Sequence, residues 1–200
     1  MKKILALLLA MFMLVSLTAC GSKKTDEKDD KETQPKEEAV VLEGVEAPVD
    51  ILNTVWDSYA DDEKFFAMGG DANNVVDNAP GAFDITDTES LYATLVCDET
   101  AAGMIDGAAS IVHGMIANNF TGAAYHLAEG SDMAEFTDAM KTAIEGNQWI
   151  CGFPEKMLIV TLSDDYAVVA FGSADIVDNF GTKLADSYET AETVVDAPLA

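Results

Sequence analysis

The chain has 200 residues, with 36 acidic residues against 11 lysines, for a formal charge of −25 at neutral pH. Nucleic-acid binding rests on neutralising phosphates with lysine and arginine, so this balance argues against such partners. It also predicts repulsion from an anionic lipid surface within a Debye length of ~8 Å.

The chain opens Met1-Lys2-Lys3, followed by an apolar run from Ile4 to Leu17 broken by Ser16. A positive start, a short apolar core and small residues after it make a secretory signal peptide over residues 1–19. The run is shorter than the ~20 residues a spanning helix needs. Leu17-Thr18-Ala19-Cys20 resembles the lipobox of bacterial lipoproteins. That resemblance implies lipid on the Cys20 thiol and cleavage between Ala19 and Cys20. It also implies anchoring on the extracytoplasmic face of the cell membrane, with the membrane itself as a partner.

Residues 21–38 contain no aliphatic or aromatic side chain. Such a segment buries too little apolar surface to offset its ordering entropy, so residues 20–39 are expected to be a lipidated cysteine and a disordered stalk. Residues 40–200 then form one domain, with 29 acids, four lysines and no arginine. This excess suits either solubility or an acidic face for cations or a basic partner.

Pro48 opens an expected helix to about Tyr59, with Ile51, Leu52, Val55 and Trp56 on one stripe. Met68 to Ala82, rich in Gly, Asp and Asn, is expected to be a loop. Asp87 suits the N-cap of a short helix through Leu95. The stretch from Ile105 to Gly130 fits a helix stripe or two strands. Gly107 and Gly114 weaken the helix, which favours strands at Ala109–Ile116 and Gly122–Ala128. Ser131 is the expected cap of a helix carrying Met133, Phe136, Met140 and Ile144. Strands follow at Met157–Leu162 and Tyr166–Phe171, with Asp164-Asp165 turning between them. Ala174–Tyr188 returns to helical spacing, and the tail from Glu189 is expected to fray. The class is α+β, a small antiparallel sheet with helices packed on one face.

Asp84-Ile85-Thr86-Asp87, Ala124-Tyr125-His126-Leu127 and Trp149-Ile150-Cys151-Gly152-Phe153-Pro154 lie in a stretch, Asp84 to Tyr188, that resembles a group of uncharacterised bacterial lipoproteins. The resemblance implies a location and an α+β pattern, and carries no activity.

Cys97 and Cys151 are the two cysteines of the domain and allow one intramolecular disulfide. His113 and His126 are the two histidines; on the strand reading they face each other across a hairpin. The loop Asp71-Ala72-Asn73-Asn74-Val75-Val76-Asp77-Asn78 offers oxygen ligands for calcium, with Asp71, Asn73 and Asp77 as candidates. It lacks EF-hand spacing. No serine-nucleophile elbow, P-loop, dinucleotide fingerprint or zinc motif occurs, and nothing implies a cofactor. The expected function is therefore a tethered, non-enzymatic domain that binds a ligand or partner. The alternatives are a calcium-dependent structural module and an extracytoplasmic enzyme without a familiar motif.

Overall fold

Met157–Val160 and Ala167–Phe171 are apolar at every position. A strand facing water on one side alternates polar and apolar residues, so continuous runs like these demand cover on both faces. The computed structural model describes residues 40–115, 119–150 and 152–199, and it meets that demand. The signal peptide, Ala19, Cys20, the stalk and Cys151 lie outside the described residues.

The elements run α1 (Pro48–Asp57), β1 (Ala67–Gly69), β2 (Val76–Asp77), β3 (Gly81–Phe83), α2 (Thr88–Leu95), α3 (Glu99–Ala102), β4 (Ile105–His113), β5 (Phe120–Leu127), α4 (Met133–Gly146), β6 (Lys156–Thr161), β7 (Tyr166–Gly172), α5 (Ala174–Ser187) and β8 (Glu192–Pro198). The strands form one sheet in the order β2-β1-β4-β5-β7-β6-β8, with β3 also paired to β4. Every pairing is antiparallel.

The α+β class, with helices packed against an antiparallel sheet, is as the sequence led us to expect. The structure extends the one-face arrangement to two. Tyr125, Phe171, Met157 and Ile159 point to one side, against Phe136, Met140 and Ile144 of α4 and Leu91 and Leu95 of α2. Ala124, Phe120, Leu158 and Val168 point to the other, against Ile51, Leu52 and Val55 of α1 and Val177, Phe180 and Leu184 of α5. The period-2 pleat divides each apolar run between these two cores.

Local chemistry sets the helix ends. Asp50 Oδ2 accepts the amides of Glu46 and Ala47 and closes the start of α1. Asp87 accepts the Ser90 amide at 3.0 Å at the start of α2, as anticipated. The cap of α4 is Asp132, which accepts the Glu135 amide at 3.0 Å, in place of Ser131. Both residues are cap formers, and the one-residue shift puts Phe136, Met140 and Ile144 on the sheet.

Three expectations are corrected. The Met68–Ala82 segment holds most of β1, β2 and the start of β3; these pieces are too short to show a period, and β1 and β3 form by pairing with β4 while β2 pairs with β1. The central hairpin is displaced toward the N-terminus, β4 starting at Ile105 instead of Ala109. A Cβ on Gly107 would stand 3.2 Å from Pro48 Cγ, so the glycine that obscured the strand lets α1 approach it. The tail is an edge strand, β8, paired along β6.

Candidate functional site

The β4–β5 hairpin separates the two histidines. His126 pairs with Gly107, whereas His113 pairs with Ala67 of β1 at the far end of β4. Six positions of extended chain are about 20 Å. The expected cross-hairpin histidine pair does not form, because the register sets them at opposite ends.

At the first end, His126 lies half-buried between two acids. Its Nδ1 is hydrogen-bonded to Asp106, and its Nε2 stands 3.5 Å from Asp165 Oδ2. Its ring packs on Tyr166 with centroids 4.7 Å apart. A cleft of about 490 Å³ opens here, lined by Pro48, Phe83, Asp106, His126 and Tyr166 among others. Ser163 Oγ lies 2.5 Å from Asp165 Oδ1, so the contacts run Ser163–Asp165–His126–Asp106. A serine nucleophile needs histidine directly beside it to take its proton. Here a carboxylate stands between them, so the cluster ties β4, β5 and the β6–β7 turn together and does not activate Ser163.

At the other end the lining mixes apolar side chains with His113, Thr94, Asn119 and Thr121. His113 is buried, with its ring stacked on Phe65 at 4.8 Å and 14° between planes. Its Nδ1 accepts the Met115 amide at 3.0 Å, which places the ring proton on Nε2. Burial holds this imidazole below its ordinary pKa. Two cavities meet beside it, and Thr94, Val112 and His113 line both. The larger, about 400 Å³, is walled by Val96, Met115, Phe120, Trp149 and Phe171. The smaller, about 320 Å³, is walled by Met68, Gly69, Gly70 and Val75. Both fall within the roughly 300–1,000 Å³ of ordinary ligand sites.

Around this groove the fold exposes large apolar side chains. Met115 is 55% exposed, Phe153 71% and Ile150 90%. Phe66 and Met68 join them, since a Cβ on Gly114 would stand 2.4 Å from the Phe66 ring and 3.4 Å from Met68 Sδ. Val96 forms part of the wall with φ at +53°, in the left-handed region that a β-branched residue rarely enters. Its side chain is only 3% exposed, so burial holds it there. The sequence marked Ile150 and Phe153 only as part of a resemblance, and none of these residues as a binding surface. The signal available was the run Trp149-Ile150-Cys151-Gly152-Phe153 between α4 and β6, of which the described residues 149, 150, 152 and 153 form neither helix nor strand.

The calcium candidates come apart. The Asp71 carboxylate is buried, and it accepts the amides of Asn73, Asn74 and Asp84 and the side-chain amide of Asn74. These hydrogen bonds, that from the Asn73 amide first, hold its pKa below the usual carboxylate range. The same donors occupy the lone pairs a cation would need. Asp77 lies in β2 opposite Met68, and among the described residues no three His, Cys, Asp or Glu side chains converge as metal ligands.

Cys97 is buried in the core, and burial pushes its thiol up to about 12. It has no disulfide partner among the described residues, and Cys151 lies outside them. No described helix is long and apolar enough to cross a membrane. Family models, characterised proteins and solved structures offer no match to this chain, so the site is interpreted from its own geometry.

Proposed function

We propose that this chain is a membrane-anchored, extracytoplasmic lipoprotein whose domain binds a ligand or partner in the groove beside His113. The address rests on the sequence: Met1-Lys2-Lys3, the apolar run and Leu17-Thr18-Ala19-Cys20 together match an exported lipoprotein's start. Two acyl chains suffice for stable anchoring.

One observation carries the binding reading. Exposed Met68 and Met115 line the groove, exposed Phe66 packs beside Gly114 of its wall, and exposed Ile150 and Phe153 are the chain neighbours of Trp149 and Gly152 in that wall. Contiguous exposed apolar surface marks interaction sites, because a monomer gains nothing from leaving it in water.

Two measurements test the two halves. Cell fractionation of Cys20→Ala should show the protein released or unprocessed; retention in the membrane at mature size overturns the anchor. A neutral solvatochromic dye should brighten with the native chain and lose most of that signal with Phe153→Ser. A dye indifferent to the native chain removes the binding reading.

A further inference from the structure

We propose that the groove beside His113 takes a cationic amphipathic segment of another protein, whose apolar anchors fill the two cavities while flanking lysines or arginines meet the acidic surface. The proposal rests on the reading that this groove binds at all, and names the occupant.

Charge selects it. The domain carries 29 acids against four lysines, and three of the lysines pair with carboxylates. Lys141 pairs with Glu145, Lys183 with Glu63, and Lys156 with both Asp178 and Asp196. Lys64 lies 5.4 Å from the centre of the Trp56 ring. Lys64 keeps its charge there, but with the other three lysines neutralised the field of the large excess of carboxylates still draws a cation in. Fatty acids, phosphate headgroups and nucleic acids are repelled by the same field.

The groove itself offers no charge to pair. Asp71 is saturated by amide donors, and the His113 ring has its Nδ1 taken by the Met115 amide. The carboxylates available to a partner lie outside it. Asp77 is exposed on β2 opposite Met68, and Asp61 and Asp62 are exposed shortly before Phe66. A groove with an apolar lobe at Met68 and Val75, and the exposed acid Asp77 opposite Met68, matches an occupant with apolar anchors and basic flanks. Two adjoining cavities suit two anchors of one segment, such as residues on one face of a helix.

The test uses the intact lipoprotein in nanodiscs of neutral phospholipid, with empty nanodiscs subtracted. Two fluorescent peptides share one apolar pattern, one with lysines and one with glutamates between the leucines. The lysine peptide should bind and the glutamate peptide should not. Raising salt from about 50 to about 500 mM should weaken binding by at least roughly tenfold, as charges at a surface are screened. Ile150→Ser with Phe153→Ser should weaken it by a similar factor. Both side chains are mostly exposed, so circular dichroism should be unchanged. Equal binding of both peptides overturns the proposal. So does lysine-peptide binding that ignores the double variant, since that is adsorption to charge alone. Dye uptake without peptide binding overturns the occupant and leaves the binding reading standing; failure of the dye removes both.

Discussion

The amide of Asp84 donates to Asp71 Oδ2 at 3.1 Å, across 13 residues of chain. The other Asp71 oxygen accepts the amides of Asn73 at 2.8 Å and Asn74 at 3.1 Å. One buried carboxylate thus organises the loop after β1 and pins it to the end of β3. Asp71→Ala removes the shared charged acceptor of these amides, at an expected cost of about 1–3 kcal/mol in a denaturant titration. The folded-state pKa is depressed, so this stabilisation is present above the unfolded value near ~3.9 and is lost as pH falls through the folded value. Asp71→Asn should therefore flatten the stability curve below about pH 4. Millimolar calcium should not rescue Asp71→Ala, because amide donors fill the Asp71 oxygens.

Gly69 stands where β1 meets the start of β3. A Cβ there would lie 2.2 Å from the Gly81 nitrogen and 2.4 Å from the Ala79 oxygen. Both neighbours are backbone and cannot swing aside. Gly69→Ala should cost about 3 kcal/mol. It should also weaken dye binding, since Gly69 lines the smaller cavity. Unchanged chemical denaturation in this variant would contradict the close approach.

His113 should make the fold sensitive to mild acid. Its folded pKa lies below the unfolded value of ~6.5 because burial disfavours the charged ring. The associated stability is present above about pH 6.5 and is lost as pH falls toward the folded value. His113→Phe keeps the stack on Phe65 and removes the titration. Melting temperatures measured from pH 7.5 to 5.0 should fall less steeply for this variant than for the native chain.

The edge strand β8 covers one side of β6. Lys156 reinforces the pairing through Asp196 at 2.7 Å. Removing residues 190–200 exposes the β6 edge and strips away Val195 and Leu199, which pack on the core. Their burial is worth about 2–3 kcal/mol. For a chain of this size that is a fall in Tm of roughly 4–12 °C. An open edge also templates pairing between copies, so light scattering should rise with concentration.

What the sequence by itself determined was whatever a single element declares along its own length. The stripes of α1, α4 and α5 follow from a 3.6-residue period, and β6 and β7 from apolar runs beside a turn. Those same runs carried the demand for cover on both faces, through the absence of polar alternation at Met157–Val160 and Ala167–Phe171. Tertiary structure decided the rest. The strands β1, β2 and β3 span two or three residues each and have no period; hydrogen bonds from β4 and from one another make them strands. The tail mixes polar residues with alanine, valine and leucine without a clear period, and pairing with β6 makes it a strand. Most of all, the groove assembles Met68, Val112, Met115 and Trp149 from distant parts of the chain. No local pattern encodes that neighbourhood, because strand order brings the pieces together and side chains exposed on each piece become contiguous only once the sheet has formed.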